Sequence, residues 1–295
     1  MSTINPSRRE ALGDFTTLSA LLLAPTVPLP AATIRTPAWD FGRSLPIWGP
    51  FDLVMDGTLL AIARLNGRSV RAVLDSGSGA SIIDGGSAAA MDLDNGEART
   101  ISGLSGKARV KLARNVDVEL GGETRRLPFA VIGDLGAMSA ALGRRIDLLI
   151  GADLFADRCV AIDFERRRFG IAPSGSFVGG SRWVTKALTR GSKQELLMAA
   201  SVAGSPPLPL MIDLGSAAPL MLSEVYIRAN GLTDHRPTST ALLGGVDGTH
   251  PITLFTLDRL RLGDLNIARI PTVGMDRWTP AEAVGNVGLP LIAQF

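Results

Sequence analysis

The stretch Ala72-Val73-Leu74-Asp75-Ser76-Gly77-Ser78-Gly79-Ala80-Ser81-Ile82-Ile83 sets an acid, small hydroxyls and glycine between two apolar runs. Apolar flanks place Asp75 in a mostly buried turn, where a lone ionised carboxylate is costly. Gly77 permits a tight turn or a close approach by another segment. Ser76 and Ser78 supply hydroxyls that can hydrogen-bond the carboxylate or the nearby backbone. Alone, the same residues would serve a strand-to-loop corner in which Asp75 caps the following turn. A second copy changes the reading. Pro209-Leu210-Met211-Ile212-Asp213-Leu214-Gly215-Ser216-Ala217-Ala218-Pro219-Leu220-Met221-Leu222 repeats the order, with Asp213, Gly215 and Ser216 standing where Asp75, Gly77 and Ser78 stand. Two such turns set face to face would bring two carboxylates together, an arrangement suited to general acid–base chemistry.

Short strands and glycine turns must position these loops. Leu59 to Leu65, Asn66-Gly67 and Ser69 to Leu74 read as a hairpin running into Asp75. Val110 to Leu120 and Leu127 to Ile132 are strands about Gly121-Gly122, Asp147 to Gly151 is a buried strand ending at glycine, and Val160 to Ala172 is a further hairpin. Helical pattern is thin, at Ala152 to Ala156 and Ser223 to Asn230.

The second half repeats this order. Leu196 to Val202 and Leu208 to Ile212 form a hairpin leading into Asp213. Leu243 to Gly248 answers Ile101 to Gly106, Leu260 to Asp264 answers Val118 to Gly122, and Arg269 to Val273 answers Arg126 to Ala130. Asn286-Val287-Gly288 answers Leu149-Ile150-Gly151, and each glycine follows its aspartate at nearly the same interval. Landmarks that stay in register this way mark a duplicated unit. The Gly-, Ser- and Pro-bearing stretch 173–192 is the natural linker between a first unit, 51–172, and a second, 193–295.

Composition narrows the function classes. A chain of 295 residues, 46% apolar, is long enough for two domains with their own cores. A formal net charge of +2 and a single tyrosine, Tyr226, argue against nucleic acid as a partner. Cys159 is the only cysteine, which excludes an intrachain disulfide, and it reads as a buried inert thiol. His235 and His250 are the only histidines and form no metal or Ser/His/Asp pattern, so no metal and no cofactor is expected. They read as surface residues. Arg166-Arg167-Arg168 reads as a solvated hairpin tip, and Asp84 and Asp153 as caps of turns or helix starts.

Residues 1–32 read as a secretory signal, with Arg8-Arg9, the modest apolar run Phe15 to Ala24 and the small pair Ala31-Ala32. The paired arginines resemble the twin-arginine type. Pro25, Pro28 and Pro30 break the run too early for a stable membrane span. The expectation is a periplasmic or secreted protein whose mature chain starts near Thr33, with 33–50 as an N-terminal extension.

Each repeat resembles a retropepsin-like aspartic peptidase subunit, carrying an Asp-Thr/Ser-Gly-Ala/Ser loop and a later apolar-apolar-Gly strand. Leu74-Asp75-Ser76-Gly77-Ser78 and Leu149-Ile150-Gly151 carry the likeness in the first repeat. Asp213, Gly215, Ser216 and Gly288 carry it in the second, where Leu214 replaces the family's hydroxyl. The resemblance implies an all-β fold of two pseudo-symmetric acid-protease-like β-barrel lobes with a cleft between them, in one chain. It implies that Asp75 and Asp213 face one another as the catalytic dyad, supported by Ser76, Gly77, Ser78, Gly215 and Ser216. Carboxylates about 3 Å apart share one proton, so that one can activate water while the other polarises a peptide carbonyl. Gly103, Leu104, Ser105 and Gly106, with Gly244, Gly245 and Val246, would be flaps over an extended peptide.

The expected function is thus an aspartic endopeptidase, a monomer of two lobes acting on a peptide or protein substrate. A peptide-binding protein that kept the fold and lost hydrolysis is the alternative that Leu214 favours. An enzyme using the acid pair on a small non-peptide substrate also fits the residues.

Overall fold

Buried and exposed side chains alternate along short segments, the pattern of strands with one face to a core. From Ala61 to Leu65 the chain points in, out, in, out, in. Asn66 and Gly67 then take φ of 47° and 80°, the two left-handed positions of a tight hairpin turn, and return the chain into the next strand. The computed structural model describes residues 46–294 apart from 56, 94–95, 97, 104–105, 179–182, 184, 193, 246–247, 277 and 279–281, with backbone alone at 100–103, 106–109, 243–245 and 248–250. The expected signal, 1–32, lies outside the described residues.

The described residues are 53% strand and 10% helix, the all-β class expected. Its first sheet holds β1 (Ile47–Val54), β2 (Thr58–Leu65), β3 (Arg68–Leu74), β4 (Ile82–Asp84), β5 (Ala98–Gly103), β6 (Gly106–Leu120), β7 (Glu123–Gly133), β8 (Leu148–Ile150), β9 (Arg158–Asp163) and β10 (Arg168–Pro173). The second holds β11 (Thr189–Arg190), β12 (Leu196–Val202), β13 (Leu208–Asp213), β14 (Leu220–Ser223), β15 (Ser239–Gly245), β16 (Gly248–Leu262), β17 (Leu265–Met275) and β18 (Gly285–Gly288).

Each sheet closes on itself. In the first, β2-β3-β8-β4-β7-β6 forms a ring shut by Arg64 opposite Glu119 and Leu65 opposite Val118. In the second, β12-β13-β18-β14-β17-β16 is shut by Ala200 opposite Leu262 and Val202 opposite Leu260. These are two six-stranded barrels of the same strand order, the tandem lobes expected from the repeat. Each barrel joins two pairs of strands in parallel, β3 to β8 and β4 to β7 in the first, β13 to β18 and β14 to β17 in the second. Strands β3 and β13 lead into the two aspartates.

Leu59, Leu65, Leu74, Leu120 and Ile150 fill the first barrel, and Leu210, Leu222, Leu257, Leu260 and Val287 the second. Leu214 and Leu289 come from the second half of the chain yet pack with the first cluster, so apolar contact continues across the lobes.

Among the described residues four short helices decorate the barrels: α1 (Gly85–Ala89), α2 (Gly136–Leu142), α3 (Glu224–Ala229) and α4 (Leu289–Ile292). Asp84 caps α1 by accepting from the Gly86 and Ser87 N–H groups, and Ser223 caps α3 through Tyr226 N–H. The expected helix at Ala152 to Ala156 is instead a run of turns, with Leu154 N–H on Gly151 O and Phe155 N–H on Ala152 O. Arg125 donates to the carbonyls of Leu154 and Ala156, which these turns leave unpaired by backbone among the described residues. No helix among the described residues is long and apolar enough to cross a membrane.

Candidate active site

The two Asp loops are built alike. Gly77 N–H donates to Asp75 Oδ1 at 2.9 Å, and Gly215 N–H donates to Asp213 Oδ1 at 2.9 Å. Ser78 N–H adds a second donor to Asp75 Oδ1 at 3.1 Å. Each loop is tied to the glycine strand behind it, through Ala152 N–H to Ser78 O at 2.7 Å and Leu289 N–H to Ser216 O at 3.0 Å. Ser78 Oγ and Ser216 Oγ donate to Ala80 O and Ala218 O, closing the turns. A β-carbon at Gly151 would overlap the backbone of Ala80, and one at Gly288 the carbonyl of Ala218. That packing explains why each apolar strand ends in glycine.

The loops meet across the lobes. A β-carbon on Gly77 would strike the Asp213 carboxylate, and one on Gly215 would strike that of Asp75. The two carboxyl groups face one another closely enough for each to act on the other's ionisation. Glycine is what admits each acid to the opposite loop. Burial pushes both carboxyls above their ordinary value, Asp213 well above it because the charge of Asp75 adds to its burial. Asp213 is buried and Asp75 half-buried.

Ser76 supplies the polar link between the lobes. Its hydroxyl donates to Ile212 O at 2.8 Å and accepts from Leu214 N–H at 3.0 Å. From the second loop Leu214 has no hydroxyl to return the link, and its side chain packs against the first barrel's core instead. Three further residues that sequence reasoning missed also support the site. Ser81, buried, donates to Asp153 Oδ1 at 2.7 Å and accepts from Gly151 N–H at 3.1 Å. Pro219 O takes the same role for Gly288 N–H. Asn286 donates from Nδ2 to Asp213 Oδ2 at 2.7 Å, where the first repeat has Leu149. Its signal was present in the repeat, as one polar residue in an otherwise apolar strand.

The expected flap residues fall at hairpin tips. Gly103 pairs with Gly106 between β5 and β6, and Gly245 pairs with Gly248 between β15 and β16, with Gly244 opposite Thr249. Leu104, Ser105 and Val246 lie outside the described residues. Helix α2 of the first lobe lies beside β15, which leads to the second tip. Cys159 is half-buried rather than fully buried, and its burial pushes the thiol upward, away from reactivity. His235 is exposed.

Residues 61–154 match a family model described as aspartyl protease. That span runs from β2 to just past β8, and so includes Asp75, Gly151 and every strand of the first ring. No curated protein matches the chain.

Proposed function

We propose that this chain, a retropepsin-like aspartyl protease of tandem two-lobe form, is an endopeptidase that hydrolyses peptide bonds with Asp75 and Asp213 as its dyad. The observation that carries the reading is the mutual approach of the two carboxyls, each admitted by the glycine of the other's loop. Two such groups in one buried site hold a single proton between them. The ionised member removes a proton from a water that attacks the peptide carbonyl carbon. The protonated member hydrogen-bonds the carbonyl oxygen as it gains negative charge. As the C–N bond breaks, a proton passes to the leaving nitrogen, and the pair returns to its starting state. Backbone donors to Asp75 Oδ1 and Asp213 Oδ1 fix both carboxyls during the exchange. The glycine-bearing hairpin tips offer strand-like backbone pairing to an extended peptide.

Incubation of the protein with a mixed peptide library, with and without a statine-type inhibitor, tests this reading. Internal cleavage that the inhibitor abolishes supports it. The second reading, a peptide-binding protein without hydrolysis, is favoured by the one-sided lobe link at Leu214. It predicts inhibitor binding without cleavage.

A further inference from the structure

The pseudo-symmetry of the site breaks beside the carboxylates as well as between the lobes. Asn286 sits on β18, opposite Met211 of β13 and Met221 of β14, and is 3% exposed. Its amide Nδ2–H reaches Asp213 Oδ2 at 2.7 Å, the oxygen that the loop N–H of Gly215 does not hold. The other end of the amide, Oδ1, is buried without a partner among the described residues. In the first barrel the same place is filled by Leu149, packed with Leu60, Val73, Leu135 and Ile146. The fold therefore accepts an apolar residue there. A buried amide with one end unpaired costs stability, and at this position it returns a hydrogen bond to one acid of the pair.

We infer that Asn286 is a positioning residue for the carboxylate pair, holding Asp213 Oδ2 and favouring ionisation of the pair. A donor to a carboxylate stabilises its charged form. Asp75, from the opposite loop, is the titratable group that faces Asp213. Strands β12 and β18 on either side of β13 carry no acidic or basic residue. Burial and the Asp75 charge both oppose ionisation of Asp213, and the Asn286 amide works against them beside the loop N–H groups. The inference deepens the hydrolase reading, and its kinetic arm rests on that reading.

The test is Asn286→Leu, which keeps the γ-branched shape, removes the donor and copies the residue of the first barrel. Asn286→Ala is the second variant, removing the donor without filling the site. The full chain is labelled with 13C at aspartate carboxyls and titrated by NMR, the pair's signals assigned with Asp75→Asn and Asp213→Asn. Loss of the amide is expected to raise the midpoint of the pair's second ionisation, in which Asp213 gives up its proton beside the charged Asp75, by about half to one pH unit in both variants. The alkaline limb of the kcat/KM profile should move upward by the same amount, with KM little changed. A merely structural role would lower Tm and leave the midpoint in place. A midpoint that is unshifted or lowered in the folded variants overturns the inference, whether or not any peptide is cleaved. A wild-type protein that titrates as expected but cleaves no peptide would count against the hydrolase reading alone.

Discussion

The hydroxyl of Ser76 accepts a hydrogen bond from the backbone N–H of Leu214 at 3.0 Å, so the residue after one aspartate holds the residue after the other. The same hydroxyl donates to Ile212 O at 2.8 Å, which makes Ser76 a two-way link placed beside both acids. Because Leu214 cannot return it, alignment of the pair depends on one side chain from the first lobe and on apolar packing from the second.

Asp75→Asn and Asp213→Asn are each expected to lower peptide turnover by about three orders of magnitude or more. The double variant should lose little beyond either single one, because the acids act as a unit. Steady-state kinetics on a cleaved peptide checks this. Near wild-type turnover in Asp213→Asn, with Asp75→Asn inactive, would show that the second loop takes no part.

Stability should depend on pH through the same pair. The Asp213 carboxyl is pushed well above its ordinary value of 3.8, first by burial and then by the Asp75 charge. The folded protein therefore binds this proton more tightly than the unfolded chain does. Stability is fully present below the unfolded value, declines as pH rises through the interval up to the folded value, and stays lowered above it. Asp213→Asn removes that decline, and the free Oδ1 of Asn286 can accept from the new amide after a flip. Melting curves across pH should show Asp213→Asn with a higher Tm than wild type near neutrality and no gain below about pH 3.9. A lower Tm near neutrality would contradict the direction of the shift.

The two barrels and their acids were legible because Asp-x-Gly-Ser between apolar runs occurs twice, with matched landmarks after each copy. Strand periodicity placed β12 at its observed bounds and β2 to within a residue. What escaped was non-local or short. Asp153 reads as a cap from its neighbours, and only the folded chain brings Ser81 onto it. Helices α1 and α2 span too few residues, rich in glycine and alanine, for an apolar stripe to show. Asn286 stands out in the repeat only as the polar counterpart of Leu149, and the folded chain is what sets it against Asp213.

Export is a separate proposal, resting on Arg8-Arg9 and the apolar run that follows. Replacing both arginines with lysine should leave the full-length protein in the cytoplasm, read by fractionation and intact mass. Unchanged processing would rule out the twin-arginine route.

Leu214→Thr would restore the missing hydroxyl and asks whether the second loop has adapted to leucine. A threonine there could reach toward the first loop as Ser76 reaches toward the second. The Leu214 side chain, however, packs with the core of the first barrel, and threonine would set a hydroxyl among apolar neighbours. Loss of that packing, together with an unsatisfied hydroxyl, costs about 1–3 kcal/mol. A net hydrogen bond contributes only about 1 kcal/mol. Packing therefore decides the outcome, and Leu214→Thr should melt several degrees lower and turn over more slowly than wild type. Ser76→Ala gives the companion measurement, since it strips partners from both Ile212 O and Leu214 N–H and should also lower Tm and turnover. If the leucine is an adaptation, the double variant Ser76→Ala/Leu214→Thr gains nothing from its new hydroxyl. A Leu214→Thr protein that is both more stable and more active than wild type would show that the first loop still presents partners for a second hydroxyl.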